Sequence, residues 1–329
     1  MDDYEKLLQQ SKNDLSSAFD GKKADKILKK SVEKTRWTLI LGSITAILLI
    51  VPIIYLFTFL YYSFGTQTTT LMDVVSDTLY VTDPNTSLKK IEFDMSIKPL
   101  SMQLQFEQYK RIGEEDYKAG TYKMNFLLNN LNSKSFDSNL ERVKPKYPTE
   151  NNVWIVHPKN VNDVNENREW QVVNGLPKET VVEAYLSFDK LMSVKDVQKK
   201  LPNVDVVWAA VDTGVEEKNL SKDGDVVSPI GFPTIEDKTY WSPFNSDKSH
   251  ETVFKEILNN LQKHEETAVA VSNAKNLDLA ERIDYINKNG IKTYGVVVTG
   301  PAQEIAALEK VDFIRKIKIG EVKLWNWSR

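Results

Sequence analysis

Cysteine is absent from all 329 residues, which excludes disulfides, Cys-ligated zinc and a thiol nucleophile. That absence fits an exported domain in an organism that does not rely on disulfides. Histidine is scarce as well: there are only His157, His250 and His264. No two of them stand at the i, i+4 spacing of a zinc-binding helix, and no H-E-x-x-H occurs. G-x-S-x-G, the P-loop and G-x-G-x-x-G are also missing. Asp223-Gly224-Asp225 lacks the ligand count of a calcium loop and reads as a turn. The residues therefore supply no catalytic constellation, no metal site and no cofactor site, and they point to a binding protein rather than an enzyme. With 43 Lys+Arg against 46 Asp+Glu the net charge is -3, a balance that gives no sign of direct nucleic-acid binding.

One local absence matters more. From Trp37 to Phe64 there is no charged side chain: WTLILGSITAILLIVPIIYLFTFLYYSF. A helix rises about 1.5 Å per residue and about 20 residues cross the hydrocarbon layer, so Leu39–Leu60 alone suffices. Trp37 at one end and Tyr61 and Tyr62 at the other lie where amphipathic rings anchor. The run is too long and begins too late for a signal peptide. Pro52 removes a backbone donor, so a mild kink is expected there. The stretch before the span, KKADKILKKSVEKTR, carries Lys22, Lys23, Lys26, Lys29, Lys30, Lys34 and Arg36, whereas Gly65–Thr70 on the far side carries no basic residue. Basic flanks stay cytoplasmic. The expected arrangement is a single-pass cell-membrane protein with a cytoplasmic N-terminus and an extracellular C-terminal portion. The seven basic residues would set topology and touch lipid.

Four segments follow: 1–36 cytoplasmic, 37–64 transmembrane, 65–155 an outer β-rich region with a linker, and 156–329 a C-terminal α+β domain. In the first, Tyr4, Leu7, Leu8, Ser11, Leu15, Ala18 and Phe19 recur at steps of three and four, one stripe of a helix ended by Asp20-Gly21. A segment this short cannot build a core. Its stripe is buried in a protein groove or on the membrane surface, or the segment stays disordered. Mixed charge around residues 4–19 favours the groove.

Outside, GTQTTT (65–70) reads as a polar linker, and period two dominates from about 71 to 180. Met102, Leu104 and Phe106 share one face, as do Tyr122, Met124, Phe126 and Leu128. NVWIVHP and EWQVV read as further strands, Asp83-Pro84-Asn85 as a turn, and 129–139 and 161–167 as loops. Further on, strand, helix and strand are expected over 181–188, 193–201 and 204–212, and again over 290–300, 301–311 and 313–324. Two such trios match the split βαβ plan of ferredoxin-like folds, with a helical insert between them. The fold class is thus α+β: one transmembrane helix, a β-rich membrane-proximal region and a ferredoxin-like C-terminal domain. Within the insert two helices are expected, 250–264 and 277–288. SPIGFPTIEDKTYWSPF concentrates Phe232, Tyr240, Trp241 and Phe244, a candidate loop for an outer partner or ligand, although self-packing of a long loop explains it as well. Trp208 is expected in the core, and Trp325 and Trp327 are expected to pack down.

The Lys-rich KKADKILKKSVEKTR before a single span, followed by AYLSFDKLMSVKDVQKKL and VVWAAVDTG, resembles the sigma factor regulators of Gram-positive bacteria. These are membrane-bound anti-sigma factors with paired N-terminal and C-terminal family domains, and the resemblance covers about 20–110 and 160–320. It implies that the inner segment holds an extracytoplasmic-function sigma factor at the membrane through Tyr4, Leu7, Leu8, Leu15 and Phe19. It also implies that the outer portion senses envelope state or docks a second membrane protein. The alternative is a membrane-anchored extracellular ligand-binding or interaction module with no role in transcription.

Overall fold

A computed structural model describes residues 5–11, 13, 21–64, 66–88, 93–142, 154–159, 167–220, 227–237 and 242–328. The chain divides into two compact units, Met1–Phe59 and Leu60–Arg329.

The first unit is helical. Residues 5–11 form helix, and α1 (Gly21–Phe64) runs for 44 residues without interruption, Pro52 included. The lysine collar therefore sits on the same helix as the apolar run. Within Lys29–Phe64 the apolar stretch is long enough to cross a membrane and is not buried by the rest of the chain. Leu39, Leu41, Ile47, Leu48 and Phe57 all face outward. Three of its threonine hydroxyls are satisfied within the helix. The hydroxyls of Thr38, Thr45 and Thr58 donate to the carbonyls of Lys34, Leu41 and Ile54 at 2.8 Å, which suits a helix in a solvent without hydrogen-bonding partners.

The second unit is α+β, built on two antiparallel five-stranded sheets. It opens with the last residues of α1 and with α2 (Gln67–Thr82), so the expected polar linker and the period-two stretch after it are largely helix. The first sheet has the order β1-β3-β4-β5, with β2 also on β3. Its strands are β1 (Ser87–Leu88), β2 (Asp94–Lys98), β3 (Ser101–Ile112), β4 (Glu115–Leu127) and β5 (Asn130–Ser138). In β3 every second residue is buried, Met102 through Ile112, as the alternation foresaw. β5 occupies most of 129–139, expected to be a loop; it is an edge strand with one solvated face, so its sequence is polar.

The helix α3 (Asn167–Asn174) replaces the strand expected over EWQVV. Residues 154–158 of the expected NVWIVHP strand are bends, irregular backbone and a turn; Asn152 and Val153 lie outside the described residues, as does most of the 161–167 loop. The second sheet has the order β10-β6-β9-β7-β8, from β6 (Thr180–Met192), β7 (Asp205–Val211), β8 (Gly231–Pro233), β9 (Thr293–Pro301) and β10 (Ile314–Leu324). Helix α4 (Val194–Lys200) follows β6; Ser193 caps it, its hydroxyl accepting the Asp196 N–H and donating to the Asp196 carboxylate. α5 (Val215–Leu220), α6 (His250–Gln262), α7 (Glu265–Ser272) and α8 (Leu279–Asn289) lie between β7 and β9, and α9 (Ala302–Ala307) joins β9 to β10. β9 is buried at all nine positions and β6 from Thr180 to Phe188, because the sheet is covered on both faces. One continuous apolar core runs from Tyr62 and α2 through the first sheet to Ile319 of β10.

Candidate functional site

The N-terminal stripe is partly visible. Leu7 and Leu8 stand on the short helix at 66% and 47% exposure, with no covering partner among the described residues. Tyr4, Leu15 and Phe19 lie outside the described residues. The side chains of Lys26, Lys29, Lys30, Lys34 and Arg36 project from α1 into solvent; Lys22 and Lys23 fall in the same helix, their side chains not described. Both leucines therefore turn apolar surface outward from this segment.

The aromatic loop divides differently. Phe232 and Phe244 are buried, Phe232 against Phe254 at 5.2 Å and Phe244 edge-on to Tyr80 at 6.1 Å. They explain the loop's apolarity by self-packing. Tyr240 and Trp241 lie outside the described residues. Trp208 is fully buried and Trp327 nearly so, whereas Trp325 is half exposed and does not pack down as expected. Among the described residues no group of three or more His, Asp and Glu is placed to hold a metal.

The links from the end of α1 to the second sheet are specific. The Thr68 hydroxyl donates to the Tyr62 carbonyl at 2.8 Å and starts α2 directly behind the span. From Val74 to Val81 every residue of α2 is buried, against α6, α7 and β8. Near its C-terminal end the carbonyl of Tyr80 should receive the N–H four residues on, but that residue is Pro84, which has none. The indole N–H of Trp208 in β7 supplies the bond instead, at 3.1 Å. The Tyr80 hydroxyl accepts the Leu88 N–H at 3.2 Å, and burial pushes its pKa up to about 12.

A second link joins the two sheets. Lys110 Nζ of β3 meets Glu183 Oε1 of β6 at 2.5 Å and the Tyr185 hydroxyl at 2.8 Å, with both charged side chains about 2% exposed or less. Asn85 Nδ2 donates to the same Glu183 oxygen at 2.8 Å, and the Glu321 N–H to the other at 3.2 Å. Burial and the adjoining carboxylate hold the Tyr185 hydroxyl well above its ordinary value. At the end of β3, Gly113 in the β3–β4 turn has φ +68, and a Cβ there would lie 1.8 Å from Asn326 Oδ1. Its N–H donates to Thr299 Oγ1 at 2.6 Å.

A third cluster organises the insert. Arg282 of α8 is fully buried, with Nη1 2.8 Å from Glu216 and 2.9 Å from the Thr213 hydroxyl. Nearby, burial raises the Asp212 carboxyl, but the His157 ring nitrogen 3.5 Å away and bonds from the Tyr285 hydroxyl and the Gly214 N–H outweigh it and leave the pKa below its usual value. Trp208 was expected in the core and Tyr62 at the membrane interface, but Lys110, Glu183 and Arg282 were not singled out from sequence. The signals existed: Gln108 and Lys110 fall in register with the buried face of β3, Glu183 interrupts an apolar run, and Arg282 shares a stripe with Leu279 and Ile286.

Comparison with known proteins follows the same division. The family model described as sigma factor regulator N-terminal matches residues 25–117, and that described as sigma factor regulator C-terminal matches residues 173–321. The probable anti-sigma-M factor YhdL of Bacillus subtilis (strain 168) is 29% identical over 321 residues, which span 96% of this chain and 87% of that protein. No solved structure matches.

Proposed function

We propose that this chain, which belongs to the sigma factor regulator family, is a transmembrane anti-sigma factor that holds an extracytoplasmic-function sigma factor at the cytoplasmic face of the membrane. The observation that carries this reading is the pair of bare leucines, Leu7 and Leu8, on a helical segment next to the lysine-lined start of an apolar span. Likeness to a probable anti-sigma-M factor along most of its length supports it. In this scheme Tyr4, Leu7, Leu8, Leu15 and Phe19 enter a groove on the sigma factor. Burying one leucine is worth roughly 1.5–3 kcal/mol, so three together account for several powers of ten in affinity at about 1.4 kcal/mol per tenfold. The basic residues from Lys22 to Arg36 keep the N-terminus inside and leave 65–329 outside, as a β-rich region to about residue 155 and a C-terminal domain beyond it. That outer part responds to envelope state or docks a second membrane protein.

The C-terminal domain is assigned the split βαβ plan. Its two β-α-β trios, β6-α4-β7 and β9-α9-β10, and the antiparallel order β10-β6-β9-β7 support this, with α5, β8, α6, α7 and α8 as the insert.

Deletion of residues 1–20 tests the function. The expected result is constitutive transcription from the sigma factor's promoters with the protein still in the membrane. Unchanged transcription would mean that the tail is inert and the chain a membrane-anchored outer binding module.

A further inference from the structure

Two β-hairpins of the first sheet end side by side, and their tips are apolar. The β2–β3 turn carries Leu100 and the β4–β5 turn Leu128, with Leu127 beside it; the three are 49%, 46% and 49% exposed respectively. The Leu128 N–H donates to the Leu100 carbonyl at 3.2 Å, so the two tips form one ledge. Both leucines have positive φ, 61° for Leu100 and 55° for Leu128. Glycine or asparagine would occupy such turn positions with less strain. An exposed leucine in each is doubly unfavourable in water.

The ledge is fastened to the end of the span. The Tyr62 hydroxyl donates to the Leu128 carbonyl at 2.6 Å and the Tyr61 hydroxyl to Asn129 Oδ1 at 2.9 Å. Phe64, the last residue of α1, is 81% exposed. Tyr61 and Tyr62 close the uncharged run, at the depth where tyrosines meet the headgroups, and hydrogen bonds of this length hold the ledge at the same depth. Lys98, exposed two residues before Leu100, supplies a cation at the headgroup level.

We infer that Leu100, Leu127 and Leu128 form a membrane foot: a ledge whose leucines enter the lipid interface beside the C-terminal end of the span. Its occupant is the bilayer surface, because the ledge is continuous with the span and a protein partner would have to fit between the ledge and the lipid. The first sheet is thereby held at two points, in lipid at the hairpin tips and on the second sheet, at its opposite end, through Lys110–Glu183 and Gly113–Thr299. The inference rests on the span lying in a membrane; it does not depend on which compartment holds the N-terminus or on a sigma factor.

The chain has no cysteine of its own, so single cysteines can report on position. Full-length protein carrying Leu100→Cys, Leu128→Cys, Asn287→Cys or Leu48→Cys is labelled with an environment-sensitive dye. It is then reconstituted in phosphatidylcholine–phosphatidylglycerol vesicles containing lipids spin-labelled at the headgroup or mid-chain. Labels at 100 and 128 are expected to shift to the blue and to be quenched by headgroup spin labels several-fold more than the exposed Asn287 control. Quenching no greater than that of Asn287, or a blue shift without lipid quenching, overturns the inference. If Leu48→Cys escapes mid-chain quenching, the span reading itself has failed. The pair Leu100→Asn and Leu128→Asn, which suits both turns, should abolish quenching at a Leu127→Cys label without lowering thermal stability in detergent; retained quenching counts against the leucines as the foot.

Discussion

Lys110 and Glu183 share one buried ion pair, and its loss would be felt twice. Truncating Lys110 leaves a carboxylate in the interior without its ammonium partner, still bonded by Asn85, Tyr185 and the Glu321 N–H. Breaking a buried pair from one side costs about 3–5 kcal/mol. Denaturant unfolding of the full chain in detergent should show a loss of that size for Lys110→Ala. Lys110→Met combined with Glu183→Gln should recover most of it, since no net charge is then buried. Lys134 gives a pH signature. Its ammonium donates to the Val271 carbonyl and lies over the Tyr122 ring at 5.1 Å, and burial, opposed by Asp83, lowers its pKa from 10.5 to about 8. The folded state thus binds fewer protons than the unfolded one between these values, so stability rises with pH across that window. Below about 8 the full cost of burying the charge applies. In Lys134→Met the rise between pH 8 and 10.5 should vanish; an unchanged rise would assign it elsewhere.

At the scale of elements, α2 depends on a donor from another strand. Trp208→Phe keeps an aromatic ring but removes the indole donor to the Tyr80 carbonyl, and loss of such a hydrogen bond costs about 0.5–1.5 kcal/mol. The unfolding midpoint should fall accordingly, and no change would mean that water replaces the indole. α2 was also the element least visible in the sequence. QTTTLMDVVSDTLYVT is rich in β-branched residues, which are poor helix formers, and it is buried all round from Val74 to Val81, so no amphipathic stripe announces it. α3 misled for a related reason: Trp170 and Val173 are buried three apart, but in so short a helix the apolar run reads equally as strand. β5 was hidden by its polar edge. By contrast, β6, β7, β9 and β10 of the second sheet and α4, α6 and α8 were plain from their apolar runs or helical stripes, whereas β8, three residues long, lies inside the stretch read as a Gly/Pro-rich loop. Of the functional surface, the leucine stripe and lysine collar were readable as local patterns. The buried Lys110–Glu183 and Arg282–Glu216 pairs were not, since they join residues 73 and 66 apart, and only folding brings them together.

Over the whole molecule, three features of unlike chemistry follow one another along the chain: a short helical segment with bare leucines, a long apolar helix with a cationic start, and a large α+β unit whose elements interlock. The central claim is that the first of these takes a sigma factor out of circulation at the membrane surface. The fraction of the sigma factor that sediments with membranes tests it most directly. It would be measured in cells producing either the natural chain or one carrying Leu7→Asp, Leu8→Asp and Leu15→Asp, both inserted to the same level. The account predicts that the sigma factor sediments with membranes holding the natural chain and moves to the soluble fraction with the triple variant. Equal sedimentation in the two would contradict it.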